Sequence, residues 1–368
     1  MTDLPGVEIN EHRARFLSTR LYTETGVHAL VDGQFGSTGK GLAASFVAKW
    51  FPGMAANISN AGPNSGHTFY ANGEKIVLQQ LPTYAVALQR FHGNRIPVHL
   101  TGGALIDMPQ LLQELAAYCD PADVRIHAAA ALISETARTK EAGISTGTTG
   151  KGVGATVAAK ALREAKVYKD QWWDARHTPL DGTIPHYYDS LPSWRDGPMF
   201  MEVSQGFSLG PNQGFYPHCT SRECTVAQGL ADAGLPPKAL TSTTMVVRTF
   251  PIRIAGNSGP GYPDQAELTW EEVGQEPEYT TVTKKQRRIF SWSPFQFIEA
   301  LRANEPDVIF VNFMNYLPGD IEEHEDWLVQ NILWGIDAAD IPTPEAIFLG
   351  YGPNVENVRL WRFGGASV

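Results

Sequence analysis

An apolar run, Val27 to Val31, leads straight into Gly33-Gln34-Phe35-Gly36-Ser37-Thr38-Gly39-Lys40-Gly41, and an apolar helical pattern follows from Leu42 to Trp50. Glycines clustered around one lysine, between a buried strand and a helix, leave the chain few options. Backbone N–H groups can converge on an anion at the helix start, and Lys40 adds a full positive charge. The spacing misses the usual P-loop pattern by one residue, and turns of this kind also occur without a ligand. The pattern predicts a phosphate-binding turn in an α/β protein.

Apolar runs of strand length recur at Val98 to Leu100, Val124 to His127, Met199 to Val203, Met245 to Val247, Val308 to Val311 and Ala346 to Leu349. Helical patterns lie between several of them. Examples are Met108 to Cys119, with Leu111, Leu112, Leu115 and Tyr118 on one face, and Thr156 to Ala165. Strands alternating with helices predict a central, mostly parallel sheet flanked by helices. The organisation expected is a leader over 1–26 and a single α/β domain over 27–368, with irregular insertions at 168–198 and 256–278.

At 368 residues the chain can bury a large core, and 43% hydrophobic with 18% charged residues suits a soluble globular enzyme. A net charge of −10 argues against binding a nucleic-acid polymer, although a local basic site for a mononucleotide stays open. Cys119, Cys219 and Cys224 lack metal-ligand spacing and leave an odd thiol, which suits a reducing compartment. No apolar run approaches a membrane span and no signal-peptide core opens the chain, so a cytoplasmic protein is expected.

Further polar runs share the character of the first. Asn60 to Thr68 contains Asn64-Ser65-Gly66-His67-Thr68; Ser145 to Gly152 stacks hydroxyls, glycines and Lys151 before a helix; Glu202 to Gly206 follows a strand; and Tyr216 to Thr220 ends in a hydroxyl. Thr280 to Arg288 then carries four cations in its last five positions. Hydroxyls and N–H groups at a helix start are natural phosphate donors. Each run alone also reads as a turn or a solvated face.

In this order the runs resemble the adenylosuccinate synthetase family from Val27 to about Arg359. The motifs are Gly36-x-x-Gly39-Lys40-Gly41, Asn64-x-Gly66-His67-Thr68 with Asn72-Gly73-Glu74-Lys75, Gly147-Thr148-Thr149-Gly150-Lys151-Gly152, Gln205-Gly206, and Tyr216-Pro217 with Thr220. The resemblance implies a P-loop-NTPase-like fold and a ligase that joins aspartate to a 6-oxopurine nucleotide. A nucleoside triphosphate first phosphorylates the 6-oxygen, and the aspartate amine then displaces the phosphate. Lys40 and His67 would hold the transferring phosphoryl group, because a cation and a donor suit its loose transition state.

The same resemblance implies Asn64, Thr149 and Thr220 on the monophosphate and Gln205, with a catalytic part, on its base. Gly36, Thr38, Gly39, Lys40, Gly41 and Thr68 would surround the triphosphate, with Gly350 and Gly352 at its base. Ser37 and Gly66 would hold Mg²⁺. Arg163 matches an arginine lent across a homodimer interface to the neighbour's nucleotide. Val282, Thr283 and Arg288 match the loop that receives aspartate, Arg288 also reaching the triphosphate. Gln286 falls near the ribose, where the family usually has an arginine, in a register uncertain by about one residue.

Two departures change the expected substrates. Ser37 stands where the family has an aspartate that takes the N1 proton of the base and binds magnesium, and a hydroxyl is no carboxylate base near neutral pH. Either the chain is inactive or its substrate differs. Less bulk and charge beside N1 and C2 leaves room for a 2-amino group, so dGMP would sit where inosinate normally does. In this the chain resembles the viral branch, the 2-aminoadenylosuccinate synthases. Ser37, the substrate aspartate or a metal-held water are left as candidates for removing the proton.

The second departure is Phe313-x-Asn315, where the family's Lys-x-Asp reads guanine. Asn315 offers both an acceptor and donors, which matches adenine, with Phe313 as a stacking wall; a turn cap is the other reading of Asn315. The expectation is a homodimeric, Mg²⁺-dependent ligase acting on dGMP, L-aspartate and ATP or dATP, in the host cytoplasm if viral. The alternatives are the ordinary reaction on IMP and a nucleotide-binding regulator without catalysis.

Overall fold

The computed structural model describes residues 4–143, 148–171, 185–280, 285–364 and 366–367. The first part of the chain forms β1 (Val7–Glu8), α1 (Glu11–Leu17), β2 (Gly26–Asp32), α2 (Lys40–Trp50), β3 (Ala56–Ser59), the hairpin β4 (His67–Ala71) and β5 (Glu74–Leu78), and α3 (Thr83–His92). It continues through β6 (Val98–Leu100), β7 (Leu105–Ile106), α4 (Met108–Tyr118), β8 (Val124–His127), β9 (Ala131–Leu132), α5 (Glu135–Ala142) and α6 (Val153–Ala161). The second part holds β10 (His186–Tyr188), β11 (Pro198–Glu202), α7 (Val226–Ala233), β12 (Leu240–Arg248), β13 (Ile252–Arg253), β14 (Glu267–Leu268), β15 (Arg288–Phe290) and α8 (Pro294–Asn304). It closes with β16 (Val308–Asn312), α9 (Ile321–Leu328), α10 (Trp334–Ala339), β17 (Ala346–Gly350), β18 (Val358–Phe363) and β19 (Ala366–Ser367).

Twelve of the described strands make one sheet, ordered β1-β18-β17-β16-β12-β2-β11-β3-β6-β8-β10, with β19 beside β18. Every pairing from β17 across to β10 is parallel, and only the β1, β18 and β19 edge is antiparallel. Parallel strands need helical crossovers, which cover both faces and explain why β2, β16 and β17 are buried at every position. One face packs under α2 and α3, where Phe46 meets Phe310 and Phe348 at ring distances of 5.3 and 5.1 Å. The other packs under α7, α8 and α10 through Leu230, Phe297 and Ile336. Each such side chain contributes about 1.5–3 kcal/mol by leaving water.

The mostly parallel sheet agrees with the sequence reading, and several boundaries differ from it. α2 begins at Lys40 itself, so the lysine sits in the first helical turn. In α4, Leu111 and Leu115 are buried but Leu112 is exposed, so the apolar face is narrower than expected. α6 runs Val153–Ala161 and ends before the left-handed Arg163. The expected leader supplies β1, which pairs with β18, and the expected loop over 256–278 contains β14, which pairs with β15. Within 168–198, Tyr168 is buried and β10 extends the sheet edge; residues 172–184 lie outside the described ones. Among the described residues no helix is long and apolar enough to cross a membrane.

What this architecture does for function is set at the carboxyl ends of the parallel strands. Asp32 closes β2, Glu202 closes β11, Arg248 closes β12 and Asn312 closes β16. In open α/β sheets ligands bind in the crevice beyond those ends. Glu202 serves the scaffold: fully buried, its carboxylate accepts the N–H groups of Thr83 at 3.0 Å and Tyr84 at 2.8 Å at the start of α3. The other three face the turn that follows β2.

Candidate active site

Asp32 organises that turn. Its Oδ1 accepts the N–H groups of Gln34 at 2.9 Å and Gly36 at 3.2 Å, while Oδ2 accepts Thr38 Oγ1 at 2.5 Å and Lys40 Nζ at 3.2 Å. Lys40 Nζ also donates to the Gln205 carbonyl at 2.6 Å. A carboxylate with 0% exposure survives burial because four donors answer it, one of them a paired cation. The sequence reading did not single out Asp32, although an acid directly after an apolar strand is the visible signal.

Gly36, Ser37 and Gly39 are all left-handed, at φ +80°, +56° and +91°. For a serine this conformation costs of order 1–3 kcal/mol, so its surroundings must hold it. The Ser37 carbonyl accepts Arg248 Nη1 at 3.1 Å, which leaves the side chain exposed at the crown of the turn. Asn312 Nδ2 donates to the carbonyls of Thr38 at 2.9 Å and Gly39 at 3.3 Å, tying the turn to the end of β16. At Gly41 a Cβ would strike the Thr68 carbonyl, so glycine lets α2 meet β4. Gly350 abuts Asn312 Oδ1 in the same way; it makes room for that tether and, unlike Gly352, does not line the cleft.

Beyond the turn opens a cleft of about 940 Å³. Its walls bring together Gly36 to Gly41, Asn64, Gly66, His67, Thr68, Thr149, Gln205, Thr220, Phe313 and Asn315, from segments as far apart in sequence as 279 positions. Gln205 is held at φ +69°, and its Nε2 is buried with no acceptor among the described residues. His67 is buried at the mouth of the hairpin, and burial, with the nearby Lys40 charge, pushes its imidazole down to about 3. A neutral imidazole beside an ammonium offers one N–H to an incoming anion without adding repulsion.

The helix start after Thr148 and Thr149 is already capped. Glu141 from α5 accepts the N–H groups of Gly152, of Val153 at 3.1 Å and of Gly154 at 3.0 Å. These amides therefore hold a protein carboxylate; Thr148, Thr149, Val153 and Gly154 line the cleft, and the Thr148 hydroxyl accepts the Gly150 N–H at 3.1 Å. Residues 144–147 lie outside the described ones.

The basic run resolves by alternation. Lys285 and Arg287 line the cleft, while Gln286 is exposed and outside its lining. Arg288 is engaged elsewhere: its Nε and Nη2 bind both oxygens of Glu267 at 2.7 and 2.5 Å, and its Nη1 meets the Gly259 carbonyl at 2.6 Å. Successive side chains of extended backbone point to opposite faces. Gln286 and Arg288 thus stand outside the cleft lining in this structure, and Lys285 and Arg287 within it. Val282 and Thr283 lie outside the described residues. Arg163 is exposed at the end of α6, at φ +65°, outside the cleft of its own chain.

At the far end, Phe313 is left-handed at φ +60°, with the Arg248 guanidinium 3.8 Å from its ring centre and Tyr316 edge-on at 5.1 Å. Asn315 lines the cleft, is exposed, and makes no hydrogen bond with a described residue, so it caps no turn. Arg248 itself is fully buried and pairs with Glu278, Nη2 to Oε1 at 2.6 Å. Burial, the largest single influence, raises the Glu278 carboxyl, but the Arg248 charge and hydrogen bond, the Arg287 charge and the Tyr316 hydroxyl together hold the group below its ordinary value. Glu278, Asn312, Lys285 and Arg287 line the cleft and Arg248 is buried behind it, and sequence reasoning singled out none of them. The signal available for two of them was a polar residue closing an apolar parallel strand.

A magnesium ion fits the donors present only as a guest of a phosphate. The described residues hold no cluster of three or more His, Cys, Asp or Glu, and the Asp32 oxygens are already taken. Ser37 of the turn and Gly66 of the loop before β4 line the same cleft, and so small a set of neutral oxygens suits only a cation held mainly by phosphates and water.

A parallel sheet with a lysine-bearing glycine turn, a buried amide donor aimed at no described acceptor and a base-sized aromatic wall defines a nucleotide-handling α/β protein. The chain belongs to the adenylosuccinate synthetase family: the family model for adenylosuccinate synthetase matches residues 29–176 and 193–319. The chain is 38% identical over 350 residues to the N6-succino-2-amino-2′-deoxyadenylate synthase of Vibrio phage phiVC8, covering 91% of this chain and 98% of that one. Its structure matches that of the succinoaminodeoxyadenylate synthetase of cyanophage S-2L, bound to dGMP and dATP, with a TM-score of 0.77 at 31% identity over 93% and 96% of the two chains. The adenylosuccinate synthetase of Plasmodium falciparum shares the fold, with a TM-score of 0.73 at 19% identity over 92% of this chain and all of that one.

The buried, neutral His67 makes acid stability testable. Its folded value of about 3 lies below the ordinary 6.5, so between the two the unfolded chain binds a proton that the folded chain refuses. Stability falls as pH drops through that window and the loss levels off near the lower value. His67→Asn is expected to flatten this slope. Urea melts of both proteins at neutral pH and midway through the window measure it; identical slopes would place the ring in water.

Proposed function

We propose that the chain is a ligase that joins L-aspartate to dGMP, driven by ATP or dATP, to give N6-succino-2-amino-2′-deoxyadenylate. The observation that carries this reading is Ser37 at the exposed crown of the phosphate turn, where the family places an aspartate. The similarity to the phage synthases supports it.

In this reading the Gln205 Nε2 donates to the purine 6-oxygen, and Asn64, Thr149 and Thr220 receive the 5′-phosphate. Lys40 and His67 hold the phosphoryl group in flight, the cation neutralising charge and the imidazole N–H fixing an oxygen. Mg²⁺, when bound at Ser37 and Gly66 with the phosphates, neutralises further charge. After the 6-oxygen carries the phosphoryl group, the aspartate amine attacks C6 and phosphate leaves. Lys285 and Arg287, with the adjoining 281–284 segment, receive the aspartate carboxylates. Phe313 and Asn315 take the adenine of the donor, and a second subunit of a homodimer lends Arg163. The reaction runs in the host cytoplasm.

Incubation with aspartate, Mg²⁺ and ATP or dATP, plus either dGMP or IMP, tests the acceptor. Phosphate release with dGMP is expected, and consumption of IMP alone would overturn the reading. Donor choice is checked by exchanging the triphosphate: turnover with GTP but with neither ATP nor dATP would contradict the role given to Asn315.

A further inference from the structure

Arg248, buried behind the cleft wall, makes more contacts to lining residues than any role above requires. Its backbone N–H donates to Gln34 Oε1 at 3.0 Å, and its carbonyl accepts Gln34 Nε2 at 3.1 Å, so the residue is pinned to the base of the phosphate turn. Its guanidinium then reaches three places at once: the Ser37 carbonyl at 3.1 Å, the Glu278 carboxylate at 2.6 Å, and the Phe313 ring at 3.8 Å. Tyr316 Oη completes the cluster by donating to Glu278 Oε1 at 3.1 Å. Ser37 and Phe313 are both left-handed without being glycine, and the same planar cation touches each. Strain of this kind persists only where neighbours over-determine it.

We propose that Arg248 is a positioning residue for both purine sites, holding Ser37 for the acceptor and Phe313 for the donor through one guanidinium. The inference rests on the assignment of those two residues to the acceptor and donor bases. The Arg248 side covers one face of Phe313 and Tyr316 meets the ring edge-on, so a donor purine stacks on the face that remains. On the acceptor side, the bond to the Ser37 carbonyl keeps the hydroxyl at the crown. A lysine cannot reproduce this, since a point cation on a flexible stem lacks the planar fork that stacks and bonds in two directions.

Arg248→Lys is the test, with the dissociation constants of dGMP and dATP each measured alone by calorimetry. Both are expected to rise roughly tenfold, the scale of losing one hydrogen bond to a charged group. Phe313→Leu, which removes only the stack, should raise the dATP constant and leave the dGMP constant unchanged. A purely structural role would lower the melting temperature and the active fraction without moving either constant. A folded lysine variant with both constants unaltered overturns the proposal, as does one in which only a single constant moves. Should the lysine variant not fold, Arg248→Gln with Glu278→Gln, which leaves no charge unpaired, carries the same expectation. If the wild-type protein binds IMP or GTP in place of dGMP or dATP, the functional reading fails, and the same comparison on the nucleotides that do bind still decides the role of Arg248.

Discussion

Lys40→Ala is expected to lower turnover by about 10²–10³-fold, the scale of removing one donor aimed at developing charge in a water-poor site. The geometry makes the loss twofold in kind. Lys40 Nζ bridges the Asp32 carboxylate and the Gln205 carbonyl, so it fixes the turn and the residue proposed to meet the purine oxygen as well as carrying charge. Removal also leaves Asp32 buried with Thr38 and two amides but no cation. Breaking a buried pair from one side costs about 3–5 kcal/mol, so the single variant confounds chemistry with stability. Asp32→Asn together with Lys40→Met removes both charges. That double variant should regain most of the melting temperature and none of the turnover. Recovery of both together would mean that Lys40 acts on the fold alone, and a folded Lys40→Ala protein with near-normal turnover would remove it from the phosphoryl group.

The legible part of this site is the part with local chemistry. Glycines and a lysine between an apolar strand and a helix can be read from spacing, and Val27 to Val31 and Leu42 to Trp50 indeed frame the turn as β2 and α2. The hairpin of β4 and β5 was equally legible and went unread: Asn72-Gly73, both left-handed at φ +52° and +81°, is the strongest short hairpin signal there is. The tethers could not be read from spacing. Arg248 and Asn312 sit at the ends of β12 and β16, and they reach the turn only because parallel pairing places those ends beside β2. Parity in the basic run is hidden from spacing for a related reason. Which of Lys285 to Arg288 faces the cleft depends on the pairing of β15 with β14, where Glu267 captures Arg288. Glu141 shows the reverse case, in which a helix start with the right composition for phosphate is filled by the protein's own carboxylate.

Ser37→Asp should cost activity on dGMP without costing the fold. The position is exposed and left-handed, a conformation in which aspartate is among the best tolerated residues after glycine. The backbone bond from Arg248 to the carbonyl of residue 37 does not depend on the side chain. Stability should therefore stay within about 0.5 kcal/mol of the parent. At the crown, a carboxylate brings added bulk and a full charge to the side of the acceptor purine where guanine carries its 2-amino group. Forcing extra atoms into a fitted site costs about 1–3 kcal/mol. With roughly 1.4 kcal/mol per factor of ten, kcat/KM for dGMP should fall by about 10- to 100-fold. IMP, which lacks the 2-amino group, escapes that clash and gains a carboxylate beside N1, so its turnover should rise. Steady-state kinetics on both nucleotides in the same preparation read the two changes against each other. Unchanged dGMP turnover would show that the hydroxyl is not what admits the amino group, and selectivity would then have to lie in the shape of the pocket around Gln205.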